Sequence, residues 1–256
     1  MANVSGAFLK PEWGAPTSIQ TLVTTRNGGV SVAPYDSLNL GDHVADLPES
    51  VLANRALLRS CLPSEPVWLK QVHGVNVSKP TKRLLEADAI VTNKPNEVLA
   101  IMTADCLPVL LANTKGTVIG AAHAGWRGLC AGVLENTVAE MRILANYGEG
   151  DPIMAWLGPA IGPQIFEVGQ DVVDAFQNFG LPYPEQAFIP ITGKSGKYLA
   201  NIYLLARSRL SAVGVNQIFG GHYCTFTQAE QFFSYRRDGE TGRFASLIWI
   251  SEANSL

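Results

Sequence analysis

Between residues 87 and 124 the chain strings together four apolar, strand-like segments: "ADAIVTN" (87–93), "VLAIMT" (98–103), "LPVLLAN" (107–113) and "TVIGAAHA" (117–124). Only three or four residues separate each from the next. A parallel crossover needs about a dozen residues or more, so connections this short predict antiparallel pairing. Further strand-like runs occur at "IQTLVTT" (19–25), "PVWLKQVHG" (66–74), "IMAWLG" (153–158), "NQIFGG" (216–221) and "FASLIWI" (244–250). Apolar side chains are spaced as on a helix over 129–145, 169–178 and 198–213. Runs of strands with helices between and after them predict an α+β layered sandwich, with a mixed, largely antiparallel sheet. No stretch resembles a linker or an internal repeat, so residues 1–256 are expected to form one domain.

Composition narrows the function classes. Hydrophobic residues make up 47% and charged residues 16%, a balance that buries a sizeable core and argues against disorder. The net charge of -3 and a pI near 5.8 give no electrostatic reason to expect a nucleic-acid partner. "MANVSGAFLKPEWGAP" lacks the basic start and apolar core of a signal peptide, and no later run approaches the roughly 18–20 apolar residues that span a bilayer. The expectation is a cytoplasmic protein, without a membrane or nucleic-acid partner, acting on small molecules. Four scattered cysteines (Cys61, Cys106, Cys130, Cys224) make no disulfide framework, and Cys61 and Cys130 fall in helix-like segments that suggest structural roles. Signatures of P-loop, dinucleotide, zinc-protease and serine-hydrolase sites are absent, and Asn27-Gly28-Gly29 reads first as a turn.

The chemistry-bearing residues gather at predicted strand ends. His73 closes "VWLKQVH", Cys106 lies between two strands in "MTADCLPVLL", and His123 ends a strand before "GWRGL". Imidazole and thiolate are preferred ligands of zinc and also suit copper, and three ligands with one open position describe a catalytic metal site. The spacing lacks the short CxxC or HxxxH pairs that mark zinc sites, so two other readings stand beside it. Cys106 could be a nucleophile with His123 as base and Asp105 or Asp88 orienting the imidazole. Alternatively Cys106 is a small buried hydrophobe and each histidine a satisfied strand-end residue. For an anionic substrate, Arg127 stands at the predicted helix start after His123, where free N–H groups favour an anion. Arg26 and the Arg236–Arg237 pair are further anion contacts, Arg237 reading rather as a salt-bridge residue, while Phe166 and Tyr235 could stack on a planar ring or belong to the core.

These residues lie in motifs that occur together: "TRNGGVSVAPYDSLNLGDHV", "WLKQVHG", "ADAIVTN", "MTADCLPVLL", "AAHAGWRGLCAGVLENTV", "WLGPAIGP" and "FFSYRRDGETGRFASLIWI". In that order and over nearly the whole chain, they resemble the bacterial YfiH-like family, also called the laccase-domain or polyphenol oxidase family. The resemblance implies an α+β fold with a metal, usually taken as zinc, held by His73, Cys106 and His123. It further implies phosphorolysis of adenosine, inosine, guanosine and methylthioadenosine and deamination of adenosine, with purine nucleoside and phosphate as substrates. Copper-dependent oxidation of phenols and editing of peptidoglycan precursors are also associated with the family.

Four histidines in all cannot assemble a multicopper cluster, which disfavours a laccase mechanism. One zinc suits adenosine deamination, since it lowers the pKa of bound water for attack on the purine while a neighbouring group moves the proton. Asp105 is the candidate for that proton by proximity in sequence. Phosphorolysis needs an anion site, for which Arg26 and Arg127 are the candidates. Asn39 and His43, in the matched stretch "LNLGDH", are expected to line the pocket, and the roles of His222 and Cys224 stay open.

Overall fold

Each strand of the central region is buried on both faces, and that requires something packed on either side of it. The computed structural model describes residues 7–80, 82–84, 86–145, 151–180 and 183–252, so Met1–Gly6 of the N-terminal stretch read above lie outside it. A six-stranded sheet holds, in spatial order, β12 (Gln217–Gly220), β8 (Ile153–Leu157), β6 (Leu107–Asn113), β7 (Ile119–Ala124), β4 (Ala89–Thr92) and β3 (Val77–Ser78). Its inner pairs are antiparallel, whereas β12–β8 and β3–β4 are parallel. A second sheet runs β1 (Phe8–Leu9), β2 (Ile19–Thr24), β13 (Phe244–Ile250), β5 (Leu99–Thr103), antiparallel throughout. A small third sheet joins β10 (Phe188–Pro190), β11 (Lys197–Ala200) and β9 (Glu167–Gly169).

The period-two alternation of the strands assigns their side chains to separate cores. Leu107, Val109 and Leu111 of β6 pack under the helices α2 (Trp126–Ala131), α3 (Val133–Leu144), α4 (Gln170–Asn178) and α5 (Ile202–Ala212). Leu110 and Ala112 of the same strand face Leu99 and Ile101 of β5, between the two large sheets. On the outer side of the second sheet, Ala100, Met102 and Leu247 meet Leu38, Leu40 and Leu58, the last from α1 (Pro48–Arg59). The result is an α/β/β/α stack, the mixed and largely antiparallel α+β sandwich that the sequence predicts.

Some local expectations fail for identifiable reasons. The link Ala104–Cys106 does not close a hairpin: β5 and β6 lie in different sheets, because each buries both faces and the short link steps between layers. Residues 66–74 form no strand but a loop that touches its neighbours through isolated bridges at Val67 and Lys70. Gln71 supplies a substitute ladder, its side-chain amide donating to the Met102 carbonyl at 2.8 Å and accepting from the Met102 N–H at 2.9 Å. The helix predicted at 129–145 is two helices broken at Gly132, whose φ of 100° is left-handed. The helical pattern at 198–213 begins as β11 and turns into α5 only at Ile202, where Asn201 caps the helix through its side chain. Cys61 follows α1 and is exposed, whereas Cys130 is buried in α2. A short helix, α6 (Tyr235–Asp238), precedes β13.

Close packing of α3 on the large sheet depends on Gly120: a Cβ there would lie 2.9 Å from Met141 Sδ and 3.2 Å from Thr137 Cγ2. Gly120→Val should therefore destabilise the fold by about 1–3 kcal/mol through overpacking, read as a lowered urea midpoint at unchanged m-value.

Candidate metal centre

Three separate segments converge on one point. His123 is the penultimate residue of β7, Cys106 immediately precedes β6, and His73 sits on the loop beside them. The ligand-capable atoms of His73, Cys106 and His123 all lie within 4.8 Å of one another. Cys106 Sγ is 3.7 Å from His73 Nε2, and the two imidazoles meet edge to face with centroids 4.8 Å apart. His123 is buried, Cys106 half-buried and His73 exposed, so the cluster opens on the His73 side. No other group of three or more such ligands occurs among the described residues.

Asp88 organises the cluster. Its buried carboxylate accepts the backbone N–H groups of Val72 (3.2 Å), His73 (2.8 Å) and Gly74 (2.7 Å), and lies 2.8 Å from His123 Nδ1. Of the two orienting residues considered from sequence, the structure selects Asp88. This contact makes Nδ1 the protonated nitrogen of a neutral His123 and leaves Nε2 as its donor to a metal, the usual carboxylate–histidine support of a ligand. The same bonds hold His73 at φ 61°, a left-handed conformation that an unsupported histidine seldom adopts.

The glycines of "AGWRGL" serve this convergence. A Cβ on Gly125 would stand 2.9 Å from His73 Cδ2 and 3.0 Å from Cys106 Sγ, and one on Gly128 would stand 2.7 Å from the Gly74 carbonyl. Both positions are empty so that the loop and the strands can close together. The helix α2, which Gly125 precedes and Gly128 lies within, has only six residues, too short for the helix-terminus anion site expected there.

Electrostatics tie the trio together. Burial alone would raise the Cys106 thiol, but the charge and hydrogen bond of His123, with a contribution from His73, bring it down to about 6. Burial likewise opposes charge on His123, yet Cys106 and Asp88 push it up to about 9. Each group thus favours the charged form of the other, the thiolate of Cys106 and the imidazolium of His123. The donor set of two imidazoles and a low-pKa thiolate fits zinc, and it equally fits copper.

The other sequence candidates fall into different places. Asp105, at φ 87°, accepts Thr225 Oγ1 with one carboxylate oxygen and the Arg236 backbone N–H with the other, both at 2.6 Å. It clamps the corner before Cys106. Asn39 is fully buried, with its amide engaged by Gly41, Asp46 and Arg243, so it scaffolds the loop instead of lining an open pocket as expected. The Arg26 guanidinium is committed to Asp36 and the Ala229 carbonyl, which corrects its reading as an anion contact. Arg237 binds the carbonyls of Thr225, Phe226 and Phe232 and pairs with Asp238, a structural role. Arg127 is exposed with its guanidinium 4.3 Å above the Trp126 ring. Arg236 lies over the buried Phe166, and Tyr235 is exposed. His43 is exposed, and partial desolvation of its ring together with nearby Arg243 favours its neutral form. His222 packs on the Tyr223 ring, and Cys224 Sγ accepts the Gly162 N–H at 3.2 Å.

One residue escaped the sequence reading. Arg243 lies one position before β13, whose Phe244 pairs with Thr103, and this register sets it beside the Ala104–Cys106 corner. Its charge acts on both Cys106 and Asp105, while burial disfavours that charge. The signal available was its place in "DGETGRF", within one of the matched motifs.

Two variants test the construction. Asp88→Asn should weaken metal binding about 10–100-fold, by equilibrium dialysis against a zinc chelator, because His123 loses its orienting carboxylate. Although burial opposes it, the hydrogen bonds of His123 and the loop hold the Asp88 carboxyl below its ordinary value of 3.8. Its contribution to stability is therefore full above pH 4 and is lost as pH falls through the depressed value, so acid unfolding should lose that component in Asp88→Asn. Gly125→Ala should displace His73 or Cys106 and lower zinc stoichiometry, measured by atomic absorption, with the far-UV circular dichroism retained.

Comparisons with known proteins agree with this architecture. A family described as multi-copper polyphenol oxidoreductase laccase matches residues 20–251. A relative from Escherichia coli K12 named purine nucleoside phosphorylase YfiH is 54% identical over 248 residues, covering 95% of this chain and 98% of its own. A Haemophilus influenzae protein named purine nucleoside phosphorylase is 50% identical, with coverage of 94% and 98%. Among solved structures, a Neisseria meningitidis protein superposes with a TM-score of 0.87 at 48% identity, over 96% of this chain and 99% of that one. YlmD from Geobacillus stearothermophilus does so with a TM-score of 0.85 at 31% identity, over 96% and 97%. With a family match over residues 20–251, relatives at 50% identity or more and the same fold, the chain belongs to the laccase-like YfiH family.

Proposed function

We propose that the chain is a zinc-dependent purine nucleoside enzyme, which cleaves adenosine, inosine, guanosine and methylthioadenosine with phosphate and deaminates adenosine. The observation that carries this reading is the convergence of His73, Cys106 and His123 on one point, in a chain whose relatives carry purine nucleoside phosphorylase names. His73, Cys106 and His123 would hold the metal, with Asp88 fixing the ring of His123. Bound there, zinc supplies Lewis acidity toward a substrate oxygen or water. Asp105 keeps Cys106 in place from the corner before it. Arg127, exposed beside the cluster and without a carboxylate partner among the described residues, offers bidentate contacts to phosphate. The buried wall of β6 and β7 excludes water from one side, and the exposed His73 side admits substrate.

A second reading rests on the thiolate–imidazolium pair. With Asp88 on His123 Nδ1, Cys106 has the arrangement of a thiol-hydrolase nucleophile, suited to an amide in a cell-wall precursor. The two readings diverge at His73, which only the metal reading requires.

Chromatography of adenosine incubated with the protein, with and without phosphate, before and after metal stripping and zinc restoration, separates them. Zinc-dependent formation of adenine only when phosphate is present, or of inosine in its absence, is the expected result. Cys106→Ala should lose both metal and turnover, and His73→Ala should lose both if the metal carries the chemistry. An active, alkylation-sensitive His73→Ala variant acting on peptides would establish the thiol reading instead.

A further inference from the structure

A cavity of about 330 Å³ is lined by Tyr35, Val44, Ala45, Tyr235, Glu240 and Arg243 among others, none of them a member of the trio. That volume is at the lower end of the range for small-molecule sites. Two connections join it to the trio. The backbone of α6, which carries Tyr235, is bonded to Asp105 through the Arg236 N–H. At the other end, Arg243 stands across from the corner that carries Cys106. A larger cavity of about 460 Å³ against residues 190–198 presents only Lys194 and Lys197 as charged groups.

The lining has a definite chemistry. Arg243 Nη1 donates to the carbonyls of Thr241 and Gly242, while Nε and Nη2 have no partner among the described residues. One carboxylate oxygen of Glu240 accepts the Tyr35 hydroxyl, and the other has no partner among the described residues. Tyr235 is 61% exposed and offers an open ring face, next to the apolar Val44 and Ala45. A phosphate would meet one cation and one carboxylate here, a poor balance for an anion. A nucleoside matches each element: a flat base for the tyrosine face, a vicinal diol that donates two O–H groups to a carboxylate, and purine acceptors for a guanidinium edge.

Building on the purine nucleoside reading above, we propose that this cavity seats the nucleoside, with Glu240 accepting the ribose hydroxyls and the free edge of Arg243 holding the end that faces the metal centre. Glu240 then sets selectivity for ribosides. A glutamine keeps the shape but lacks the charge and the second acceptor, so it discriminates poorly between a diol and its absence.

The test is calorimetric titration of the full-length protein with adenosine and with 2′,3′-dideoxyadenosine, alongside adenosine turnover in phosphate on the same samples. The wild type should bind adenosine about tenfold or more tightly over the dideoxy analogue, because a site built to accept hydroxyls rejects a ligand without them. Glu240→Gln should lose that preference while binding the dideoxy analogue as the wild type does, and Tyr35→Phe, which frees a Glu240 oxygen, should keep it. An unchanged preference in Glu240→Gln, or its loss in Tyr35→Phe as well, would overturn the seat while leaving nucleoside turnover in place. A wild type that neither binds nor converts adenosine would overturn both the seat and the purine nucleoside reading.

Discussion

The centre depends on the carboxylate of Asp88. A buried charge is tolerated only when it is paired and hydrogen-bonded, and here four partners satisfy it: three consecutive backbone N–H groups and one imidazole. Those partners come from two places that no regular element joins, the loop at 72–74 and the end of β7. The one group therefore closes the loop onto the sheet and aims His123 in the same act. Removing it would leave orphaned donors as well as a rotating ligand, so fold and function share a single point of failure.

Cys106 reaches the same centre by another route. The corner Ala104–Cys106 carries the chain from one large sheet to the other, and so short a step obliges Asp105 to take a positive φ. Strain of this kind persists where the surroundings over-determine it. Thr225 and the Arg236 N–H do so by occupying both oxygens of the side chain, and the Ile161 N–H donates to its carbonyl at 3.0 Å. A thiol on a hairpin turn would move with the turn, whereas one on a corner pinned between two sheets keeps its distance from the histidines.

Much of this was legible in the sequence because it is periodic. Strands β2, β6, β7, β8 and β13 and helix α4 announce themselves by apolar spacing, and the α+β class follows from their order. What periodicity hides is held by side chains. The segment 66–74 has a strand's pattern, yet Gln71 and Asp88 replace the ladder with side-chain bonds, and nothing local reveals that. The trio itself was named by residue type and by resemblance, but its spacing carried no signal, since its proximity is made by sheet pairing between distant segments. Arg243 was passed over because an arginine two residues after a turn-rich "GET" reads as surface, and only the register of β13 against β5 brings it inward.

The glycines around His123 act through packing. From sequence the segment reads as a helix start whose free N–H groups favour an anion, an inference that needs a helix long enough to have a useful terminus. The structure supplies six residues of helix and two missing Cβ atoms that let His73, Cys106 and the 74 carbonyl approach. A helix this short leaves anion contacts to side chains rather than to backbone amides. Arg26 and Arg237 are committed to loop closure, whereas Arg127 lies exposed on α2 over the Trp126 ring and Arg243, beside the Cys106 corner, keeps Nε and Nη2 unbonded among the described residues.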